Sequence, residues 1–423
     1  MIDVLELFKK NKTISEVLAS TNKDNYSYFV NGVTENHQYL LTYATYIQSG
    51  GFVVYLASNV YKANLAYEAF CHLAGYENVN LYLTDEIISS ELVAVSGQFK
   101  KERINTIKSI VNNTPKIIVT HVLGTLRPCL FKDEFVKNII KIKKNDVINV
   151  TKFIKKLIYL GYKKVAITES EGEFSVRGEV VDVYGVCLDK PVRINLFDDE
   201  IEKIRYFNIE TQRTIEEISE VEILPFNEIV LSEEQIANFC NSVEKFSDNK
   251  IISRDISDIR NYENMDRMTK YLGMIFGNMG SILDYLDDKI IVYDDINRLN
   301  KANDQIDSDL ANYLMDANLP KGLNLTFNLD YFSIFALKNK QIFCSEFKSS
   351  LKYIKLDKVF DVRGFSVITY DTDLRLLYTE LKDKSAKTYV IAFSSKEKEN
   401  LIIELLKENG ININKCKKIS DVK

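Results

Sequence analysis

The stretch Asn31-Gly32-Val33-Thr34-Glu35-Asn36-His37-Gln38-Tyr39 is the first place where residue types and spacing could do chemistry. It follows a short apolar strand pattern, Tyr28-Phe29-Val30, and precedes a helical pattern in Leu40, Leu41, Ala44 and Ile47. A strand, a turn and a helix start is where a phosphate-binding loop sits. Such a loop needs G-x-x-x-x-G-K-[ST]: glycines let backbone N–H groups approach phosphate, the Lys supplies a cation and the hydroxyl holds magnesium. Gly32-Val33-Thr34 looks like its beginning. On that register Glu35 and His37 stand at glycine positions, Gln38 at the Lys position and bulky Tyr39 at the hydroxyl position. A carboxylate facing phosphate adds repulsion and the cation is gone, so ATP hydrolysis is not expected here. Gly32, Thr34, Glu35, His37, Gln38 and Tyr39 therefore read as a degenerate nucleotide site.

Two other residue sets have two readings each. His37 could be a general base, but no Ser or Cys nucleophile motif accompanies it; the alternative is a solvated histidine at a helix start. Asp294-Asp295, after the apolar run Lys289–Tyr293, resembles the acidic strand end that holds magnesium in nucleotide sites; the alternative is capping of a strand-to-helix turn. Six cysteines (Cys71, Cys129, Cys187, Cys240, Cys344, Cys416) and three histidines (His37, His72, His121) lie scattered, with no C-x-x-C pair. No metal site is expected, and the thiols read as reduced and buried.

The elements that must position these residues fall into blocks. The chain has 423 residues, enough for about three domains. Hydrophobic residues make up 46% and charged residues 27%, as in an ordinary globular protein. With 55 Lys and Arg against 60 Asp and Glu, the net charge of −5 argues against a surface built wholly for nucleic acid. The N-terminal MIDVLELFKKNK lacks the apolar core of a secretion signal, and no stretch approaches a membrane span, so a cytoplasmic protein without membrane contact is expected.

Between residues 25 and 123, strand and helix patterns alternate, with strands near 52–56, 79–83 and 116–120; this implies a parallel sheet with crossover helices. From about residue 124 the pattern changes. Lys137–Lys164 is locally basic, and Phe153, Ile154, Leu157, Ile158 and Leu160 give it a helical apolar face. Nucleic-acid binding is one reading of that run; a solvated face or attraction to an acidic protein partner is the other, because no stacking platform of aromatics accompanies it. Short strands follow at 164–168, 179–184, 192–197 and 204–207, separated by turn signals. Residues 227–325 read mainly helical. From about 326 a second α/β pattern is expected, with strands at 325–329, 341–344, 365–369 and 388–393 and helices at 372–381 and 396–408.

The most informative stretch is Gly172-Glu173-Phe174-Ser175-Val176-Arg177-Gly178-Glu179-Val180-Val181-Asp182-Val183-Tyr184, continuing into Pro191–Ile201 and Ile204–Thr214. Several dozen positions in order resemble the UvrA-interaction domain shared by the excision-nuclease subunit UvrB and the bacterial transcription-repair coupling factors, the Mfd family. Two features favour the second relative. UvrB has an intact phosphate loop, and it has a Tyr-rich hairpin for which the short run from Leu83 to the helix at Gly97 leaves no room. Thr120–Pro128 also looks like the coupling-factor domain junction.

The resemblance implies an α/β fold: a degenerate RecA-like (P-loop-fold) domain interrupted by a small α+β UvrA-interaction domain and followed by a small α/β domain. The expected boundaries are 1–123 and 227–325 for the two parts of the RecA-like domain, 124–226 for the insertion and 326–423 for the last domain. It implies an N-terminal, non-enzymatic fragment that recruits UvrA to RNA polymerase stalled at DNA damage. Contacts to polymerase and DNA, and the use of ATP and Mg, would belong to domains outside this chain; the fragment itself needs no cofactor. A distant C-terminal domain would mask the UvrA surface. In the resemblance the residue matching Arg177 contacts UvrA. Phe174 would add an apolar anchor, and Lys163 and Lys164 would steer association. From the residues alone, Phe174 and Val176 could equally be core, with Arg177 paired to Glu173 or Glu179. An ATP-dependent helicase-like protein, or a UvrB-like binder of damaged DNA, is the alternative.

Overall fold

The computed structural model describes residues 4–85, 97–261, 279–316, 340–347, 354–364, 374–382 and 395–411, with isolated residues between them. Its strands are β1 (Tyr26–Asn31), β2 (Phe52–Ala57), β3 (Val79–Tyr82), β4 (Ile117–His121), β5 (Cys129–Leu130), β6 (Ile140–Lys143), β7 (Lys163–Lys164), β8 (Glu173–Arg177) and β9 (Val180–Val183), followed by β10 (Val192–Phe197), β11 (Glu200–Phe207), β12 (Thr214–Ile218), β13 (Glu220–Ile223), β14 (Met279–Gly280), β15 (Lys289–Asp295), β16 (Lys340–Ser345) and β17 (Lys358–Asp361).

Seven strands form one sheet in the order β17-β1-β16-β15-β2-β4-β3. Every neighbouring pair is parallel. Alternation sends Val53, Tyr55 and Ala57 to one core, under helices Glu35–Ser49 and Val60–Ala74. Val54 and Leu56 point to the other core, with Ile104, Ile107 and Ile110 of helix Gly97–Val111 and Leu299 of helix Ile296–Asp316. A sheet covered on both faces explains why β2 reads as an unbroken apolar run.

Between β4 and β15 the chain builds a six-stranded sheet, order β12-β11-β10-β9-β8-β7. Phe174, Val181, Val183, Val192, Ile194 and Ile204 line its inner face. They pack on helix Val150–Tyr159 through Phe153 and Leu157. The fold class is thus the expected mixed α/β arrangement, a parallel sheet interrupted by a smaller module.

The expected boundaries need correction at two places. Strands β16 and β17 do not start a separate domain after residue 326; both pair directly with β1. Helices Glu233–Glu244 and Lys250–Arg260 do not return to the parallel sheet at 227; Ile236, Phe239, Val243, Ile252 and Ile256 join the core of the inserted module. Strand pairing and helix docking are long-range choices, which a local apolar pattern leaves open. The strand expected at 164–168 is only Lys163–Lys164, whereas the helix at 396–408 lies where its pattern places it. The strands expected at 325–329 and 365–369, half of 388–393, and the run 86–96 where no hairpin was expected, fall outside the described residues.

Candidate docking face and a filled nucleotide loop

The loop after β1 is closed by its own chain. Gly32 has φ +73°, and a Cβ there would lie 1.8 Å from the Val362 carbonyl oxygen, so glycine is required by both conformation and space. Gly364 N–H donates to Gly32 O at 2.9 Å, and Val33 N–H to Ser345 O at 3.1 Å. The end of β16 and the segment after β17 therefore lie across the turn. Thr34 occupies the N-cap of helix Glu35–Ser49 without a side-chain cap; its hydroxyl instead meets His37 Nδ1 at 2.6 Å. His37 is half-buried beside the Phe8 ring, not solvated as the alternative reading had it, and burial lowers its pKa.

Gln38 is fully buried; it donates to Val33 O and accepts from the Tyr55 hydroxyl, both at 3.3 Å. Tyr39 donates to Glu35 at 2.6 Å, and Glu35 pairs with Lys62 at 2.7 Å. Arg298 lies between Glu346 at 3.1 Å and Asp294 at 3.5 Å. Asp295 caps the following helix, accepting from Asn297 N–H at 3.0 Å and Arg298 N–H at 3.3 Å, as the capping reading expects. Burial pushes the Asp294 carboxyl up to about 6. Carboxylates of the chain thus occupy the helix start and strand ends where a nucleotide site would need cations.

The junction between the two sheets holds a buried ion cluster. Arg103 donates to Glu228 at 2.5 and 2.9 Å and to Leu83 O at 2.5 Å. Arg127 adds a bond to Glu228 at 2.9 Å. Burial alone would raise the Glu228 pKa, but Arg103 and Arg127 outweigh it and hold the carboxyl down at about 2. None of these residues stood out in the sequence. Their spacing of 24 and 101 residues gives no local signal.

On the module, β8 separates the expected docking residues by face. Phe174 is fully buried in the core, so it cannot be an exposed anchor; this corrects the expectation, because its alternation phase aims it inward. Ser175 and Arg177 take the opposite phase. Arg177 does not pair with Glu173 or Glu179. Its guanidinium donates to Asp182, directly across from Ser175 on β9. Asp182 is fully buried and also receives Arg193 in bidentate fashion, at 2.7 and 2.9 Å. Arg193 is fixed further by Gln212 O at 2.9 Å and by the Phe207 ring 4.6 Å below. Arg193 is 15% exposed but Arg177 is 45% exposed. Gly178, at φ +61°, makes the two-residue turn into β9.

Lys163 and Lys164 are exposed on the edge strand β7, beside Glu173 and Phe174 respectively. The register puts Lys163 on the outer face with Arg177 and Lys164 on the opposite side. The first part of the basic run is paired: Lys141, Lys143 and Lys144 meet Glu222, Glu220 and Glu217 at 2.6 to 2.8 Å. There Ile140–Lys143 forms a two-strand ribbon with Glu220–Ile223, laced by these pairs.

Residues 140–228, which contain all of this second geometry, match a known family. The match is to the UvrB interaction domain. Over 364 residues the chain is 23% identical to the transcription-repair-coupling factor of Bacillus subtilis (strain 168), covering 81% of this chain and 31% of that protein. It is 24% identical over 308 residues to the transcription-repair-coupling factor of Staphylococcus aureus (strain MRSA252), covering 68% of this chain and 26% of that protein. The chain thus spans about a third or less of the curated relatives it matches. The resemblance drawn from Gly172–Thr214 agrees with both comparisons. Among the described residues no helix is long and apolar enough to cross a membrane.

Proposed function

We propose that this chain is the part of a transcription-repair coupling protein that docks UvrA and so brings excision repair to stalled RNA polymerase. The observation that carries this is the match of residues 140–228 to the UvrB interaction domain, in a module whose outer face presents Arg177. Asp182, itself held by Arg193, takes one guanidinium nitrogen of that side chain, while 45% of the side chain faces solvent, leaving the other guanidinium donors for a second carboxylate. Lys163, on the same face at the sheet edge, adds a charge suited to steering an acidic partner. Arg177 and Lys163 are the residues we place in the contact; Lys164 contributes at most long-range charge.

The chain acts as a binding module without catalysis. The filled loop at Gly32, with Gln38 for the lysine and Glu35 at the helix start, supports this. ATP, magnesium, polymerase and DNA would be handled by other parts of such a protein, and a distant domain could cover the Arg177 face.

Titration of UvrA with the wild-type chain and with Arg177→Ala tests the proposal. Binding by the wild type and about tenfold or greater weakening in the variant is expected, a loss of about 1.4 kcal/mol. Failure of the wild type to bind overturns the docking function. Equal binding by both overturns the placement of the contact.

A further inference from the structure

Asp182 is divided unequally between its two arginines. Arg193 takes both carboxylate oxygens, Nε to Oδ1 at 2.7 Å and Nη2 to Oδ2 at 2.9 Å. Arg177 reaches only Oδ2, through one nitrogen. A guanidinium and a carboxylate pair best edge to edge through two parallel bonds, and one carboxylate gives that edge to one arginine at a time. While Arg193 occupies it, Arg177 keeps donors for a partner. Whatever holds Arg193 therefore decides whether Arg177 stays open.

The hold comes from the loop between β11 and β12. The remaining side of the Arg193 guanidinium meets two oxygens of Gln212, the backbone carbonyl 2.9 Å from Nη1 and the side-chain Oε1 3.4 Å from Nη2. Gln212 has φ +57°, a left-handed conformation that glycine adopts freely and other residues rarely do. Bonds within the loop keep it there. Gln212 N–H donates to Asn208 O at 2.8 Å, Thr211 N–H donates to Asn208 Oδ1 at 2.8 Å, and Gln212 Nε2 donates to Ile209 O at 2.9 Å. A position that glycine would fill with least strain thus carries a side chain that ties the loop and gives Arg193 a further acceptor. Backbone strain held in place by surrounding bonds clusters at binding sites.

We propose that Gln212 is a positioning residue for the UvrA contact. By holding Arg193 across both oxygens of Asp182, it stops Arg177 from closing onto that carboxylate and keeps the Arg177 guanidinium open to a partner. The inference rests on the docking reading given above, and it adds a residue that acts through Arg193.

Two variants test the side chain and the backbone of this residue. Gln212→Met keeps a side chain of similar length and removes its polar atoms, so it should keep the wild-type melting temperature. Gln212→Val, whose branched Cβ opposes positive φ, displaces the carbonyl as well. Titration with UvrA should show binding about threefold weaker in Gln212→Met and about tenfold weaker in Gln212→Val. In an Arg177→Ala background neither change should weaken binding by more than about twofold, because the residue acts through Arg177. Wild-type affinity in both variants overturns the proposal. So does an undiminished effect in the Arg177→Ala background, which would make the loop a direct contact or a purely structural one. Solvent exchange of the arginine Nε–H signals in NMR reads the same arrangement without UvrA. Protection is expected at Arg193 in the wild type and should pass to Arg177 in Gln212→Val. Unchanged exchange at both arginines overturns the proposal, whereas that transfer in a chain that does not bind UvrA overturns only the docking reading.

Discussion

Two arginine–carboxylate clusters use the same chemistry in different surroundings. At the junction, Glu228 takes bonds from Arg103 and Arg127, and the Arg103 side chain is fully buried. On the module, Asp182 takes bonds from Arg193 and Arg177, and Arg177 is nearly half exposed. In both, the carboxylate is buried and its charge is compensated. The difference is one accessible guanidinium. A closed cluster joins two units and keeps its arginines almost wholly buried. An open one holds an arginine in a fixed position while leaving part of it for recognition. The preorganisation lowers the side-chain ordering that association would otherwise cost, about 0.5 to 1.5 kcal/mol for such a side chain.

The largest expected effect breaks the closed cluster. Glu228→Ala leaves two guanidinium groups uncompensated at the junction, and a loss of about 3 to 5 kcal/mol in denaturant unfolding is expected. A loss below about 1 kcal/mol would show that the cluster does not tie the units together. Phe174→Ala should cost a similar amount, about 3 to 5 kcal/mol, because it empties the module core. If its stability were unchanged while UvrA binding fell, Phe174 would be a contact after all.

A smaller effect is expected at the closed loop. Gly32→Ala should destabilise by more than about 1 kcal/mol, through its left-handed backbone and the Val362 carbonyl in the path of a Cβ. Thermal melting would measure it, and an unchanged melting temperature would mean that the segment after β17 does not press on the turn.

Acid titration compares the clusters in another way. The Glu228 pKa is lower folded than unfolded, so its contribution is complete above about pH 4.5 and is lost as pH falls toward 2. Glu228→Gln should therefore flatten acid unfolding in that window. Asp294 has the opposite sign. Its pKa is raised to about 6, so ionisation weakens the fold between about pH 4 and 6 as pH rises, and Asp294→Asn should relieve that fall.

The smallest stability effect belongs to the open cluster. Arg177→Ala should change unfolding by less than about 1 kcal/mol, as exposed pairs do. Its effect should appear in UvrA binding instead. A large stability loss without a binding loss would make the two clusters equivalent and remove the contrast.

Local sequence made much of this legible. The unbroken run Phe52–Leu56 announced a strand buried on both faces, and the strand–turn–helix order announced a parallel sheet. Gln38 and Glu35 at cation and glycine positions marked a loop unsuited to phosphate. The period-2 alternation on β8 put Phe174 and Arg177 on opposite faces, yet left open which face was core. The Asp182 partnership was harder to read, because Asp182 lies five residues from Arg177 across a hairpin, where cross-strand register decides contact.

Residue order alone therefore determined the types of element and the chemistry missing from the Gly32 loop, since both follow from nearest neighbours along the chain. Tertiary structure alone decided that β16 and β17 complete the first sheet and that Glu228 bridges Arg103 and Arg127. Those outcomes depend on which distant segments pack together, and long-range packing leaves no periodic mark on the residues that take part in it.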